Sequence, residues 1–560
     1  MATPTTNSLT AYYAVLSGYN EIDSLLYAKW GGGGFVGNPL VITYSFPGLD
    51  SYWSTTSYGP TDGYREPWSP DFDVLSGYEQ SAFISAMSTW ASVANITFVE
   101  VADNYSTVGD LRVAWTTYNV DGAQARAYLP WSDPSAGDIW LSGSADWTDA
   151  LEHGSYGFFA LIQVLGLALG LKHTFEAYES NGAVLPEGID AYQFSVMSDS
   201  AAIGYSGSVV NFNPTTPMSL DIAAMQYLYG ANMSHHAGND VYTFSQGQSY
   251  FETIWDAGGI DTFVWNATTQ SGDIDLRAGH WSALGNELNY TGSDGGFLWS
   301  TNDTVQIYST VIIENAIGGN ANDTITGNSS NNSLQGGAGN DVMYGDAGND
   351  TFDWDSTKRS GNDTMYGGLG NDTYVLNSSG DRVIELSNQG TDLIWTEFTY
   401  SLTSASNVEN LSLMGTSNLN VSGNTLSNVL TGNSGKNSLS GGLGKDTLYG
   451  GAGADRFVFD TALSTSNTDT IKDFQRGIDK LVLDDDIFKV FLSKTTVSTG
   501  NFIVGTKALQ SDDYLIYNTQ NDMLYYDADG SGSKYGMVEV AKIELSGSSA
   551  PTYTDFVVVA

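Results

Sequence analysis

The chain has 560 residues, of which 63 are acidic and 20 basic, giving a net charge of −43. That excess of carboxylates excludes nucleic acid and anionic membrane surfaces as partners and points to cations. With 41% hydrophobic and 12% aromatic residues the chain is a folding sequence, and with no cysteine it must hold together without disulfides.

At this length two or more domains are expected. Residues 1–19, MATPTTNSLTAYYAVLSGY, lack the basic and apolar regions of a signal peptide and are expected to be a short leading segment. Residues 20–235 read as a mixed α+β domain. Ala125–Trp140 is ARAYLPWSDPSAGDIW, and Tyr156–His173 is YGFFALIQVLGLALGLKH. The apolar run Gly157–Leu171 is too short for a bilayer, which takes about 20 residues, and predicts a buried helix over about 156–171. Phe194–Ser198 is FSVMS, and Asp221–Met233 is DIAAMQYLYGANM.

These segments together resemble the serralysins, secreted calcium-dependent zinc proteases of Gram-negative bacteria with a metzincin fold. The metzincin helix carries H-E-x-x-H-x-x-G-x-x-H and is followed by a methionine turn. In that register Gln163 and Leu167 replace two zinc ligands and Val164 replaces the general base, while Gly170 and His173 remain. Met197 is the turn methionine, and Asp199 stands where the family has a tyrosine that reaches the zinc. A catalytic zinc needs three protein ligands and an open position for water, and a carboxylate to take the proton from that water. Val164 and Leu167 can do neither, and the Gln163 amide is a poor ligand. Zinc is therefore expected to be absent, with His173 reduced to a hydrogen-bonded residue at a helix end. Val164 and Leu167 are expected to fill the cleft in part. If the cleft stays open, Val164, Leu167 and Leu171 would offer an apolar face to a partner.

Residues 236–376 are expected to begin an all-β parallel roll. The nonapeptide G-G-x-G-x-D-x-U-x, with U a large apolar residue, marks such a roll. It is matched fully at 336–344 and 367–375 and with one change at 345–353; copies at 318–326, 327–335 and 358–366 are degraded. The first six residues form a tight turn that needs glycine, the Asp and turn carbonyls face the next turn as oxygen ligands for calcium, and U points inward. Expected calcium residues here are Gly319, Asp323, Gly337, Gly339, Asp341, Gly345, Gly348, Asp350, Asp363, Gly368, Gly370 and Asp372. The resemblance adds Asp256, Gly258, Gly259 and Asp261 in WDAGGIDT, Glu314 in ENAIGG, and Gly238 and Asp240 in a calcium loop. His235 and His236 precede that loop and are read as loop residues, not as a transition-metal site. His153 and His280 stand alone and support no metal site.

Residues 377–422 are expected to be a strand-rich insert, because RVIELS, DLIWTEF and VENLSLMG alternate apolar and polar residues. Residues 423–475 form a second repeat block, with full matches at 441–449 and 450–458 and degraded copies at 423–431 and 432–440. They add Gly442, Gly444, Asp446, Gly451, Gly453 and Asp455 as calcium residues. In the degraded copies Asn332, Asn428 and Asn437 replace the Asp. Residues 476–560 are expected to be a C-terminal β cap. Its DADGSG run lacks the EF-hand glutamate and reads as a hairpin turn, while the tail Asp555–Ala560 resembles an uncleaved type I secretion signal.

The expected architecture is a metzincin-like α+β domain followed by a calcium β-roll. The expected function is that of a secreted calcium-binding protein built on an inactive serralysin-like scaffold. It would act outside the cell or at its surface, as a surface, matrix or binding component. The type I secretion machinery would be its export partner, and a second copy or another extracellular protein its binding partner; no nucleic acid and no transmembrane segment is expected. Two alternatives remain open: a metalloendopeptidase with a rearranged site built on His173 and Asp199, and an enzyme of another class in the old cleft. Asp199 and Glu176 are too weakly placed to be named as catalysts for the latter.

Overall fold

The computed structural model describes residues 9–31, 35–49, 51, 53, 73–104, 106–116, 124–143, 151–354, 360–547 and 549–560. Residues 1–8 of the leading segment, and Lys358 and Arg359 of one degraded repeat, lie outside the described residues. The chain divides into two units, Met1–Thr262 with Arg277–Ile313, and Phe263–Leu276 with Glu314–Ala560.

The first unit is built on a five-stranded sheet. Ile96–Glu100, Leu40–Ser45, Leu111–Thr116 and Asp138–Ser142 run parallel in that order, and Ala125–Ala127 adds an antiparallel edge. The helix Tyr156–Leu169 begins where the Ser155 hydroxyl accepts from the Phe158 backbone N–H, a side-chain N-cap. It ends two residues short of the expected Leu171 because Gly170 turns left-handed, with φ of +115°. A Cβ at Gly170 would stand 2.1 Å from the Ala28 carbonyl oxygen, so only glycine fits. The helix is mostly apolar because it is mostly buried, with Gln163 and Leu167 half-buried and Tyr156 exposed. Phe158, Ile162, Leu165, Ala168 and Leu169 are buried, and the indoles of Trp90 and Trp30 donate to the carbonyls of Ile162 and Ala168 at 3.0 and 2.8 Å. Each large apolar side chain buried there contributes about 1.5–3 kcal/mol relative to exposure. A long antiparallel hairpin, Trp281–Thr291 with Phe297–Ile307, also belongs to this unit.

The second unit is a parallel β-roll. One ladder stacks Asp273–Asp275, Thr324–Thr326, Val342–Ala347, Thr364–Leu369 and Arg382–Ile384. The facing ladder runs from Asn315–Ile317 through Ser333–Gln335, Thr351–Phe352, Thr373–Leu376, Leu393–Thr396, Asn410–Leu413 and Val429–Thr431 to Thr447–Tyr449 and Asp469–Phe474. The apolar U positions Ile325, Leu334, Met343, Phe352, Met365 and Tyr374 fill the space between ladders, each with no exposed surface. The strands of 377–422 are thus rungs of the roll itself: Arg382–Ile384 ends the first ladder, and Leu393–Thr396 and Asn410–Leu413 continue the facing one. A third ladder begins at Tyr400–Ser401 and ends with Lys480–Asp484 paired to the terminal strand Phe556–Val559. Among the described residues no helix is long and apolar enough to cross a membrane.

Candidate functional site

The zinc-helix positions are tied to the methionine turn. Gln163 Nε2 donates to the carbonyls of Val196 and Ser198 at 2.9 and 3.1 Å. His173 Nδ1 lies 3.2 Å from the Met197 carbonyl, and its ring stacks on Phe175 with centroids 5.3 Å apart. A carbonyl only accepts, so Nδ1 carries the proton, leaving Nε2 as the single lone pair on this ring. Val164 and Leu171 are buried in the core, and Leu167 is half-buried. The apolar face expected from these three residues is therefore mostly interior. Asp199 is exposed and accepts from the Ser200 hydroxyl at 2.8 Å, while Glu176 accepts from the Tyr178 hydroxyl at 2.8 Å. Among the described residues, the clusters able to hold a metal are His236–Asp240–Asp256 and Asp372–Glu385–Asp392, and neither includes His173 or Asp199.

The turn itself keeps a metzincin-like build. Met197 is fully buried, and a Cβ at Gly166 would come within 2.7 Å of its sulfur. Asp221, on the helix Ser219–Tyr229, accepts from the Ser195 hydroxyl and from the backbone N–H groups of Val196 and Met218 at 2.6, 2.7 and 2.8 Å. Complete burial pushes its carboxyl up to about 7, against the pull of those three hydrogen bonds. Sequence reasoning missed Asp221, whose only signal was an acidic residue in the first turn of an apolar helix.

The loop expected to hold calcium brings its residues together. The Asp240 N–H donates to Asp261 Oδ1 at 2.8 Å, and Gly258 N–H to Asp256 Oδ1 at 2.6 Å. A Cβ at Gly259 would meet the Gly238 carbonyl oxygen at 1.8 Å. The Tyr242 hydroxyl donates to Asp256 Oδ2 at 2.6 Å. His236, read as a plain loop residue, lies close to this group, with Nδ1 3.5 Å from Asp240 Oδ1 and a left-handed φ of +50°.

In the roll, carboxylates form columns. Asp341 Oδ1 accepts from the backbone N–H of Asp323, Asp363 from that of Asp341, and Asp381 from that of Asp363. A second column runs from Asn332 to Asp350, Asp372, Asp392 and Glu409, with N–H to oxygen distances of 2.7 to 2.9 Å. Asn428–Asp446–Asp469 and Asn437–Asp455–Asp479 repeat the pattern. Glu314 reaches this frame through its carbonyl, which accepts from Asn332 Nδ2 at 2.9 Å. Gly319 N–H donates to Asp323 Oδ2 at 2.6 Å. The turn glycines take positive φ where turns stack closely; at Gly348 φ is +130° and a Cβ would lie 2.3 Å from the Ser330 carbonyl.

The second carboxylate oxygens of Asp341, Asp350, Asp372, Asp446 and Asp455 are buried with no hydrogen-bond partner. A buried, undonated carboxylate oxygen is costly unless a cation meets it. Burial first, and repulsion from neighbouring carboxylates after it, push the carboxyls of Asp341 and Asp350 up to about 7, Asp446 to about 8 and Asp455 to about 6. Oxygen-only donors from side chain and backbone fit calcium. Sequence reasoning missed Asp381, Asp392, Glu409, Asp469 and Asp479 as column members. Their signal was a tripeptide Asp-x-U, as in Asp381–Val383, Asp392–Ile394, Asp469–Ile471 and Asp479–Leu481, which persists after the glycines are lost.

Residues 219–558 match the family described as peptidase M10 serralysin C terminal. Serralysin B of Dickeya chrysanthemi is 32% identical over 321 residues, covering 53% of this chain and 61% of the relative. Serralysin C of the same organism is 34% identical over 320 residues, with the same coverage. Serralysin of Proteus mirabilis is 32% identical over 335 residues, covering 54% and 62%. The chain thus spans about three fifths of the length of these curated relatives.

Proposed function

The chain belongs to the peptidase M10 serralysin C-terminal family, and from that premise we propose that it is a secreted, calcium-loaded protein whose serralysin-like cleft performs no zinc chemistry. The observation that carries this reading is the engagement of Gln163 by the carbonyls of Val196 and Ser198. Its amide N–H groups spend themselves on the methionine turn, and Val164 beside it is a core residue with no proton to move. His173 alone supplies one nitrogen where three protein ligands are needed.

The roll is where the chain acts on ions. Calcium supplies positive charge to the columns and completes the coordination of buried oxygens. Asp341, Asp350, Asp372, Asp446 and Asp455 each present one such oxygen, and the turn glycines let carbonyls approach from the neighbouring turn. Without cations these carboxylates are desolvated and close to one another, so the roll gains its stability where calcium is plentiful, outside the cell. Export through a type I channel, with Asp555–Ala560 as signal, fits that order of events. The protein then serves as an extracellular surface, matrix or binding component.

A protease assay on the calcium-loaded protein, with and without added zinc, tests the reading. No cleavage under either condition is expected; chelator-sensitive cleavage would overturn it.

A further inference from the structure

The column of carboxylates outlasts the nonapeptides. Gly370-Asn371-Asp372-Thr373-Tyr374 closes the last full repeat of the first block, and Gly390-Thr391-Asp392-Leu393-Ile394 follows one turn later. The two segments are built alike. The Asn371 N–H donates to Asn349 Oδ1 at 2.7 Å, and the Thr391 N–H donates to Asn371 Oδ1 at 2.8 Å. A Cβ at Gly370 would meet the Gly348 carbonyl at 1.6 Å, and one at Gly390 would meet the Gly370 carbonyl at 1.5 Å. Thr373–Leu376 and Leu393–Thr396 pair in parallel, with Tyr374 opposite Ile394. The stretch ELSNQGTD is therefore a further roll turn, in which Glu385 follows Ile384 as Gly367 follows its partner Tyr366.

Glu385 follows directly on Arg382–Ile384, the last strand of its ladder. It is 7% exposed, and Asp372 and Asp392 are 1% and 2% exposed. One carboxylate oxygen from each of the three lies within 4.8 Å of the others. Glu385 Oε1 accepts from the Tyr374 hydroxyl, and Asp392 Oδ1 accepts from the Asp372 N–H at 2.9 Å. Glu385 Oε2 and Asp372 Oδ2 are buried with no hydrogen-bond partner. A Cβ at Gly367 would strike Glu385 Oε1 and Asp372 Oδ2 at 2.2 and 2.3 Å, so these oxygens close over glycine backbone.

We propose that Asp372, Glu385 and Asp392 hold a calcium ion at the point where one ladder of the roll stops, stitching the stretch 377–422 to the first repeat block. The inference extends the calcium-loaded reading above and rests on it. Three carboxylates with no nitrogen or sulfur donor select a hard cation. The depth of the site favours calcium over magnesium, which keeps several of its waters.

Two measurements on the full chain test this. Glu385→Gln keeps an acceptor for the Tyr374 hydroxyl and removes one charge. At saturating calcium it is expected to bind one ion fewer per chain than the wild type, with the β-sheet circular dichroism retained; an unchanged ion count overturns the proposal. Should the variant fail to fold, anomalous scattering from wild-type crystals with Tb³⁺ in place of calcium decides. A peak about 2.3–2.6 Å from oxygens of Asp372, Glu385 and Asp392 is expected. Peaks between the nonapeptide turns but none here overturn this site alone. Peaks nowhere in the roll overturn the calcium-loaded reading and this site with it.

Discussion

Gln163 Nε2 donates to the Val196 carbonyl at 2.9 Å, so a side chain at a zinc-ligand position ties its helix to the methionine turn. The same amide reaches Ser198 at 3.1 Å, and no metal is needed to hold helix and turn together. Where the serralysin resemblance expects a zinc ligand, the position carries structural hydrogen bonds instead.

Removing those bonds has a measurable cost. Gln163→Ala leaves two carbonyls without their donor and is expected to lower the stability of the first unit by about 1–3 kcal/mol. Thermal unfolding followed by helix circular dichroism measures it. A variant as stable as the wild type would show that the amide holds nothing.

Asp221 sets a pH dependence of defined sign. Its carboxyl is raised from 3.8 to about 7 by burial, so the native state holds more protons than the unfolded chain in that interval. Stability attributable to Asp221 therefore falls as pH rises from about 4 to 7 and is level outside that window, by a few kcal/mol in all. Asp221→Asn should remove this slope, read as the difference between variant and wild-type unfolding free energies across pH at constant saturating calcium. Parallel curves would contradict it. Asp221→Ala also strips three donors of their acceptor and should cost about 3 kcal/mol or more at any pH.

Calcium removal should act on one unit more than the other. With chelator, the columns around Asp341, Asp350, Asp372, Asp446 and Asp455 lose their cation, and the roll is expected to melt while helical signal from Tyr156–Leu169 persists. Circular dichroism at helix and strand wavelengths follows both. An unchanged strand signal and melting temperature would sink the claim.

Gly348→Ala probes the stacking of turns. Its φ of +130° and the 2.3 Å approach of a Cβ to the Ser330 carbonyl force the turn apart. The strain of about 1–3 kcal/mol should raise the calcium concentration at which the roll folds several-fold. A calcium titration watched by circular dichroism reads the midpoint, and an unshifted midpoint would contradict the stacking argument.

Much of this was written in local patterns. The helix at Tyr156 announces itself by a mostly apolar run, and its early end at Leu169 follows from Gly170, a residue the metzincin pattern itself contains. The nonapeptides gave the roll because glycine, Asp and U each have a fixed job. What remained hidden were residues whose job is tertiary. Asp221 serves a turn some 25 residues away in sequence. Asp392 and Glu409 continue a column whose glycines have largely gone, because the ladder hydrogen bond needs only a carboxylate ahead of an inward apolar residue. Val164 and Leu171 looked available for a partner, yet both are buried, and of the three expected residues only Leu167 is half open.

The central claim, a calcium-loaded roll and a cleft without zinc, is tested most directly by elemental mass spectrometry of the protein purified in calcium and equilibrated with zinc. The account predicts several calcium ions per chain and no stoichiometric zinc. A zinc-to-protein ratio near one, lost again when His173 is replaced by Ala, would contradict it.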